Sequence, residues 1–404
     1  MTTTTRPGRG VVATMLASQA LRGMGYGLAA VQLGAVLRDQ GLDSRGVGVV
    51  LAAIVAGSAA ASLALGRWGD RVGRARAYGL LYVALALAGV AIAAGGPAWL
   101  LALVALSGAL STEVVESGPF TTLEQVMLAS TGAPQRTVVR GFGVYNAVAT
   151  LAGAAGALLG VLPADRRLLG ATLAVVGVAG ALLATRLPGS VEASRPEPGT
   201  APPRPLASSR PVVARLAALF AVDSLAGGLV VQAWIADWLG VRYGAPTSVI
   251  GVVFAAIGVL QAASFLAASL IAARVGLLAT MVFTHLPSNL LLAAVPLAPS
   301  LPGAVGLLLA RTLLSQMDVP ARQAYVMALV PPGERTAAAA TTNTARYLVR
   351  PAGPVLAGLL QPVGLALPFL VAGAAKSAYD LVLWRLFRPV PLPTQATTTT
   401  GGAP

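Results

Sequence analysis

The stretch GVVLAAI, from Gly48 to Ile54, returns as GVVFAAI from Gly251 to Ile257. At the same offset, DRVG from Asp70 to Gly73 corresponds to ARVG from Ala273 to Gly276. The offset is about half of the chain. A repeat of this length in an apolar sequence predicts two related halves, each with the same set of membrane-spanning elements.

The composition predicts that these elements are transmembrane helices. Of the 404 residues, 56% are hydrophobic and only 10% are charged, whereas soluble domains have ~25% charged residues. A helix needs about 20 apolar residues to cross a hydrocarbon core of ~30 Å. The predicted spans are 11–37, 46–66, 77–95, 98–129, 141–162, 168–187, 212–239, 247–271, 277–298, 303–330, 337–361 and 364–384. Because they are much longer than the ~10-residue alternating strands of a barrel, they are predicted to be helices.

The net charge of +14 would suggest a nucleic-acid partner in a soluble protein, but the positions of the arginines indicate membrane topology instead. Loops on one side of twelve alternating spans hold Arg6, Arg9, Arg67, Arg71, Arg74, Arg76, Arg136, Arg140, Arg186, Arg195, Arg204, Arg210, Arg215, Arg385 and Arg388. The opposite loops hold few. By the positive-inside rule, both termini are predicted to be cytoplasmic, and no nucleic-acid partner is expected.

The predicted fold is an all-α polytopic membrane protein with twelve transmembrane helices in two pseudo-symmetric six-helix bundles. The bundles are predicted to span residues 1–187 and 212–390. A linker rich in Pro, Ser and Arg covers 188–211, and a low-complexity tail covers 391–404. Two halves in the same orientation imply a pseudo-two-fold axis along the membrane normal, with helices 1, 4, 7 and 10 nearest to it.

The segment GRWGDRVGRAR, from Gly66 to Arg76, lies between the second and third predicted spans. It resembles the Gly-x-x-x-Asp-Arg-x-Gly-Arg-x-Arg/Lys signature of the major facilitator superfamily, and the span count and linker position agree with that resemblance. The resemblance implies a gating or conformational role for Gly66, Gly69, Asp70, Arg71, Gly73 and Arg74. The alternative is that the arginines only fix the topology.

The fifth span departs from the pattern of those family members that exchange drugs for protons. Such members often carry Gly-x-x-x-Gly-Pro-x-x-Gly-Gly, whereas the run from Gly153 to Gly160 has the small residues without the proline. The departure disfavours a drug/proton antiporter.

Charged residues inside the predicted spans carry most of the functional inference. Arg22 lies about eleven residues into the first span, roughly 16 Å along a helix and so near mid-bilayer, and Asp223 has a similar position in the seventh. A charge at this depth costs at least ~2.5 kcal/mol and needs a partner or water. The spacing of Glu113, Glu116 and Glu124 predicts one helical stripe in the fourth span.

A corresponding stripe in the tenth span consists of Arg311, Ser315, Asp318 and Arg322. The functional interpretation is a central cavity that binds substrate or a coupling proton, lined by Arg22, Tyr26, Gln32, Glu113, Glu116, Asp223, Gln232, Arg311, Asp318 and Arg346. The alternatives are buried ion pairs of Arg22 with Glu113 or Glu116 and of Asp223 with Arg311, and amides that only join helices. Glu124 and Arg322 are predicted to be gate or salt-bridge residues. The only histidine, His285, is predicted to be a hydrogen-bonded structural residue.

The leading functional prediction is a secondary transporter that works by alternating access. No Walker loop is present, so ATP hydrolysis is disfavoured. The absence of cysteine and the single histidine exclude thiol chemistry and disfavour an intramembrane enzyme. Neither a cofactor nor a metal is expected, and the alternative is a non-transporting receptor or scaffold.

The sequence says less about the substrate. Arginine suits planar bidentate contact with carboxylate or phosphate, so an arginine-bearing cavity favours an anionic or zwitterionic solute. The acidic stripe would equally suit a cation. A preference for export and proton coupling through Glu113 or Glu116 complete the prediction. The expected partners are a small-molecule substrate, protons and the lipid bilayer, with the chain functional as a monomer. One lysine against 27 arginines, with abundant Ala and Gly, is typical of high-GC bacterial genomes and predicts a bacterial cytoplasmic membrane.

Overall fold

The computed structural model describes residues 7–160, 162–193 and 206–392. Regular structure in these ranges is helical, and they contain no strand. Most of the predicted linker and most of the predicted tail lie outside the described residues. The predicted all-α class is therefore confirmed for the part of the chain that the structure covers.

Sixteen α-helices occur in the described residues. They are α1 (Pro7–Asp39), α2 (Ser44–Val72), α3 (Arg74–Ala94), α4 (Ala98–Leu106), α5 (Pro119–Ala129), α6 (Gln135–Leu159), α7 (Arg166–Ala184), α8 (Arg210–Gly228), α9 (Gln232–Tyr243), α10 (Thr247–Val275), α11 (Leu277–Ala294), α12 (Leu301–Ser315), α13 (Asp318–Leu329), α14 (Arg335–Val349), α15 (Ala352–Leu360) and α16 (Leu367–Phe387). Short 3-10 helices occupy Gly189–Val191, Val295–Leu297 and Pro332–Glu334.

The chain divides into two compact units. Unit 1 consists of Met1–Arg210 with Val330–Thr344, and unit 2 consists of Pro211–Leu329 with Ala345–Pro404. Helix α14 contributes its first ten residues to unit 1 and its last five to unit 2. The predicted bundle boundaries place all of this helix in the second bundle, and they stay a prediction.

Eight helices of the described ranges are long and apolar enough to cross a membrane. They are Gly10–Asp39, Gly46–Val72, Arg74–Ala94, Gln135–Leu159, Arg166–Ala184, Arg210–Gly228, Ser248–Val275 and Leu277–Leu297. They correspond to the predicted spans 1, 2, 3, 5, 6, 7, 8 and 9. The total of twelve spans stays a prediction.

The prediction of one continuous helix in the fourth span is wrong. Helix α4 ends at Leu106, and α5 begins only at Pro119. Gly108 and Gly118 adopt positive φ angles of 74° and 62°. Residues other than glycine rarely adopt such angles. Because Pro119 also disfavours helical backbone at the residue before it, the helix restarts at the proline. Glu113 and Glu116 lie in the non-helical segment, so the predicted acidic stripe does not form.

Three further predicted spans are interrupted. The seventh is divided between α8 and α9, the tenth between α12 and α13, and the eleventh between α14 and α15. In the tenth, Pro320 lies in the first turn of α13, where its missing N–H group costs no helical hydrogen bond. In the eleventh, Pro351 separates the two helices. Irregular backbone at membrane depth is tolerated where protein buries it or where it lines water.

Helices α1 and α6 of unit 1 cross in backbone contact. A Cβ atom added to Gly27 would lie 2.0 Å from the carbonyl oxygen of Gly153. A Cβ atom added to Gly156 would lie 1.9 Å from the carbonyl oxygen of Met24. Small residues at such crossings allow the close approach that drives helix association in lipid.

Unit 2 contains an equivalent crossing between α8 and α15. A Cβ atom on Gly353 would lie 2.3 Å from the Cα of Gly228. The internal repeat aligns Gly27 with Gly228, so the aligned glycines make the same kind of contact in the two units.

Candidate functional site

A buried ion pair joins α1 to α5 in unit 1. The guanidinium of Arg22 donates from Nη1 to Oε1 of Glu124 at 2.8 Å and from Nη2 to Oε2 at 2.6 Å. Both side chains are 0% exposed. A bidentate geometry of this kind is the strongest that an arginine makes with a carboxylate.

Three tyrosine hydroxyls form hydrogen bonds with this ion pair. The hydroxyl of Tyr78 donates to Oε1 of Glu124 at 2.5 Å, and that of Tyr145 donates to Oε2. Arg22 donates to the hydroxyl of Tyr82 at 2.8 Å. We call Arg22, Glu124 and the three tyrosines the tyrosine cluster. Each of these side chains is hydrogen-bonded to another protein group.

The Arg22 partner predicted from the sequence was wrong. Glu113 is exposed and Glu116 half-buried, and both lie in the non-helical segment between α4 and α5. The backbone N–H of Glu113 donates to Oγ of Ser111 at 2.9 Å, which holds this segment in a turn. The argument for a proton site at Glu113 relied on burial, and the exposed position removes that argument.

The polar residues predicted to line the cavity in α1 bond to main-chain groups instead. Tyr26, which is fully buried, donates to the carbonyl of Ala109 at 2.5 Å. Gln32 donates from Nε2 to the carbonyl of Leu162 at 3.2 Å. Both hydrogen bonds join α1 to neighbouring loops. For Gln32 this agrees with the alternative that amides only connect parts of the fold. Gln232 is the first residue of α9, and it is exposed.

A second group of charges surrounds Asp223 of α8 in unit 2. The carboxylate oxygens lie 2.5 Å from Nζ of Lys376, 3.6 Å from Nη1 of Arg346 and 3.9 Å from Nη1 of Arg322. The predicted pairing with Arg311 is wrong. Arg311 makes no ion pair within the described part of the chain, where its Nε is buried without a hydrogen-bond partner.

The only histidine bridges two aspartates of the same group. Nδ1 of His285 lies 3.0 Å from Oδ1 of Asp380, and Nε2 lies 3.9 Å from Oδ1 of Asp223. Asn289 donates to Oδ2 of Asp380 at 2.8 Å. His285 is hydrogen-bonded, as predicted. We call Asp223, His285, Arg322, Arg346, Lys376 and Asp380 the aspartate cluster.

Asp318 borders this cluster at the start of α13. Its carboxylate accepts a hydrogen bond from Nη1 of Arg322 at 3.0 Å, one helical turn away. Asp318 and Arg322 of the predicted tenth-span stripe therefore come together, whereas the break after Ser315 separates them from Arg311. Within the part of the chain that the structure describes, no group of three or more His, Cys, Asp or Glu side chains could hold a metal ion.

Sequence reasoning missed the tyrosines, Lys376 and Asp380. Lys376 is the only lysine of the chain, and it lies four residues before Asp380 in the apolar twelfth predicted span. This pair of charges was a detectable signal for a buried polar site. The tyrosines gave no such signal, because an isolated tyrosine in an apolar helix is unremarkable in sequence.

The GRWGDRVGRAR segment turns sharply between α2 and α3. Gly73, with a φ of 97°, separates the two helices. Oδ1 of Asp70 accepts from Nε of Arg74 and from the hydroxyl of Thr336, each at 2.8 Å. Gly66 lies against Ala340, whose Cβ would be 2.7 Å from an added Cβ. Within unit 1, the signature loop is thus bonded to the start of α14.

The other signature residues differ in their exposure. Arg74 is 2% exposed and also donates to Oγ of Ser130 and to the carbonyl of Val191, whereas Arg71 is exposed. The Glu192 carboxylate accepts from the backbone N–H groups of Arg74 and Ala75, at 2.6 and 3.1 Å. A carboxylate at this position stabilises the first turn of α3.

A similar carboxylate lies beside the start of α8. Glu334 accepts from the backbone N–H and hydroxyl of Ser208, each at 2.8 Å, and from the backbone N–H of Ser209 at 3.0 Å. Burial alone would raise the pKa of Glu334. The hydrogen bonds from the two serines outweigh that effect and lower the pKa below its usual value.

Comparison with known proteins establishes the family. The model of the Major Facilitator Superfamily matches residues 15–354, which is most of the chain. The chain belongs to the Major Facilitator Superfamily. It is therefore a multi-pass membrane protein of a transporter family.

Individual proteins resemble the chain along nearly its whole length. The uncharacterized membrane protein YJR124C of Saccharomyces cerevisiae is 24% identical, with 92% of both chains covered. The human organic anion transporter MFSD10 (TETRAN) has a TM-score of 0.76 at 17% identity, covering 94% of this chain and 100% of its own. The proton:xylose symporter XylE has a TM-score of 0.71 at 15% identity, covering 95% and 97%. At these identities the solved structures establish the superfamily fold, and the charged clusters are described from this chain alone.

Proposed function

We propose that this chain is a secondary transporter that carries a small organic anion across the membrane by alternating access. Its membership of a transporter family supports the carrier role, and the lack of a Walker loop favours an ion or solute gradient as the energy source. The competing function is a receptor or scaffold that has the same fold but no transport pathway. A transport assay distinguishes a transporter from such a protein.

The balance of buried basic and acidic side chains in unit 2 supports the proposal of an anionic substrate. Its buried or half-buried basic side chains are Arg311, Arg322, Arg346, Arg350 and Lys376, and its buried acidic side chains are Asp223, Asp318 and Asp380. Unit 2 therefore has five buried or half-buried basic side chains against three buried acidic ones. The planar guanidinium of arginine can donate two parallel hydrogen bonds to a carboxylate, sulfonate or phosphate group. The competing proposal of a cation relied on the acidic stripe of the fourth span, which is not helical.

A ligand screen tests the substrate class. We expect organic anions to raise the melting temperature of the purified protein, whereas the matched neutral amides and amines leave it unchanged. Replacing Arg346 by Gln should weaken anion binding by roughly tenfold or more, since a hydrogen bond to a charged group contributes ~1.5–3 kcal/mol. Arg274→Gln, at an exposed arginine, is the matched control.

Two results would contradict the anion proposal. The first is stabilisation by cations alone, and the second is equal anion binding by Arg346→Gln and Arg274→Gln. Uptake into proteoliposomes then distinguishes a carrier from a receptor, because a receptor would bind the anion without moving it.

We also propose that the Asp70 loop controls the conformational step of transport. Asp70→Asn keeps an oxygen acceptor for Thr336 but removes the negative charge beside the buried Arg74. We expect the transport rate to fall at least about tenfold, equivalent to ~1.4 kcal/mol, while ligand affinity changes little. Asp43→Asn changes an exposed carboxylate and serves as the control. A transport rate for Asp70→Asn equal to the control rate would show that the loop has only a topological role.

The remaining features of the proposal concern location and assembly. The arginine-rich, lysine-poor composition supports a bacterial cytoplasmic membrane, and the two compact units within one chain support a functional monomer.

A further inference from the structure

We propose that α3 and α7 of unit 1 form a binding site for an anionic phospholipid. Arg76 and Arg186 hold the phosphate of the lipid, and its acyl chains lie along the two helices. The site is separate from the tyrosine cluster and from the aspartate cluster. The proposal does not rest on the transport of an anion, and it is tested without a transport assay.

Helices α3 and α7 pack against each other through small residues. A Cβ atom added to Gly89 would lie 2.5 Å from the carbonyl oxygen of Gly170. A Cβ atom added to Gly79 would lie 3.6 Å from Cβ of Ala184. Contacts that advance along α3 therefore go back along α7, so the helices are antiparallel and the start of α3 lies beside the end of α7.

The two helices share an exposed apolar surface beside this contact. On α3 the exposed residues recur every three or four positions, which places them on one helix face. They are Arg76, Leu80, Val83, Leu87 and Val90, and those of α7 are Val175, Val178 and Leu182. Each stripe follows the small-residue face of its helix by roughly a third of a turn, counted clockwise along the chain. Because the helices are antiparallel, both stripes fall on the same side of the pair and form one surface.

Two arginines stand at one end of this surface. Arg76 lies three residues before Gly79, and Arg186 lies two residues after Ala184, so their side chains begin at about the same level. Both are exposed, and neither side chain forms an ion pair or a hydrogen bond with another described residue. A phosphate suits them, because a guanidinium can donate two parallel hydrogen bonds to its oxygens.

The charge of this end favours a lipid with a net negative charge. Two carboxylates of the region are bonded elsewhere. Glu192 accepts from the first backbone N–H groups of α3 at 2.6 and 3.1 Å, and Asp70 accepts from Arg74 and Thr336. Arg71, in the same loop, is exposed. Arginines near a membrane surface attract acidic lipids in this way.

The apolar surface favours a lipid over a soluble phosphate. Leu80 lies one helical turn after Arg76, and Leu182 lies about one turn before Arg186, so both point the way from the arginines to the middle of the helices. The acyl chains of a lipid whose phosphate contacts the arginines would cover this surface, whereas a soluble phosphate would leave it bare. Basic sites between transmembrane helices bind acidic lipid headgroups on the cytoplasmic side, which is the side that the sequence predicts for this end.

A second pair of arginines provides the matched control. Arg136 and Arg140 of α6 are exposed and lie one turn apart. None of the next ten residues, 141–150, is exposed. This pair therefore has the same charge without an apolar surface beside it.

Native mass spectrometry of the full chain in a neutral detergent tests the site. The protein is mixed with dioleoyl phosphatidylglycerol and dioleoyl phosphatidylcholine, which have the same acyl chains and differ in net charge. We expect the first lipid bound by wild type to be phosphatidylglycerol. The double variant Arg76→Gln, Arg186→Gln should lose at least about tenfold in affinity for it, since hydrogen bonds from charged groups to the phosphate are removed. The variant Arg136→Gln, Arg140→Gln should retain the wild-type affinity.

Three results would overturn the site. The first is equal binding of the two lipids by wild type. The second is an equal loss in the two double variants, which would indicate a general attraction between charges. The third is displacement of phosphatidylglycerol by glycerol 3-phosphate, which would show that the acyl chains contribute nothing. If the double variant does not fold, the single variant Arg76→Gln should still lose at least about threefold in affinity, and an unchanged affinity would contradict the proposal.

Discussion

Glu124→Gln is expected to destabilise the protein by roughly 3–5 kcal/mol, the cost of breaking a buried ion pair by removing one partner. Glutamine still accepts a hydrogen bond from Arg22, but the guanidinium keeps its charge without a counter-ion. Both side chains are inaccessible to water, so solvent cannot compensate. Chemical unfolding in detergent at constant pH measures the loss.

The double variant Arg22→Met, Glu124→Gln provides the internal comparison. It removes both charges, and glutamine can accept from one of the hydroxyls of Tyr78 and Tyr145 and donate to the other, so the double variant should be more stable than Glu124→Gln alone. Asp43→Asn is the surface control. Its side chain caps α2 through the N–H of Gly46 at 2.7 Å, and asparagine caps about as well. Equal stability of Glu124→Gln and Asp43→Asn would mean that the buried pair contributes nothing.

Gly27→Ala should separate α1 from α6 and lower stability by an amount at the upper end of the ~1–3 kcal/mol typical of overpacking. The added methyl group would meet a backbone carbonyl at 2.0 Å, and a backbone atom cannot rotate away as a flexible side chain can. Gly228→Ala should have a comparable effect in unit 2 because it meets the carbonyl of Arg350 at 2.5 Å. Thermal unfolding in detergent compares the variants.

Gly141→Ala is the matched control on α6. Nothing lies within 4 Å of its added Cβ, and alanine is favoured over glycine in a helix by up to ~1 kcal/mol. This variant should be at least as stable as wild type. A melting temperature of Gly27→Ala that matched the Gly141→Ala value would contradict the backbone contact between α1 and α6.

Sequence reasoning located the spans wherever an apolar run is free of breaks. Helices α2, α3 and α10 lie where uninterrupted runs of Ala, Leu and Val predicted them. The interrupted spans were missed because an average over about 20 residues does not detect one Gly-Pro pair in apolar surroundings. Gly118 and Pro119 show this, since both count as harmless in a hydropathy window and yet together end a helix.

The same error carried into the prediction of charge pairs. The pairing of Arg22 with Glu113 or Glu116 assumed a helical period through the whole fourth span. With α5 starting at Pro119, only Glu124 remains helical and faces Arg22. The period argument holds for Asp318 and Arg322, which share α13. It failed for Arg311, because α12 ends at Ser315 and the helical period does not continue into α13.

The partners of Asp223 were missed for a different reason. The predicted pseudo-two-fold axis places the first, fourth, seventh and tenth spans at the centre, whereas Lys376 and His285 belong to the twelfth and ninth. Which helix lies beside α8 depends on packing that no local pattern encodes. A rule that every buried charge needs a partner would have made Lys376 a candidate partner of Asp223, because few cations lie inside the predicted spans.

The sole lysine of the chain has a practical consequence. Lys376 is 6% exposed and lies against Asp223, so no lysine remains at the protein surface for acylating reagents. Among the side chains, amine chemistry therefore has one target, which is internal. Its rate of acetylation reports directly how often water and small electrophiles reach the middle of α16.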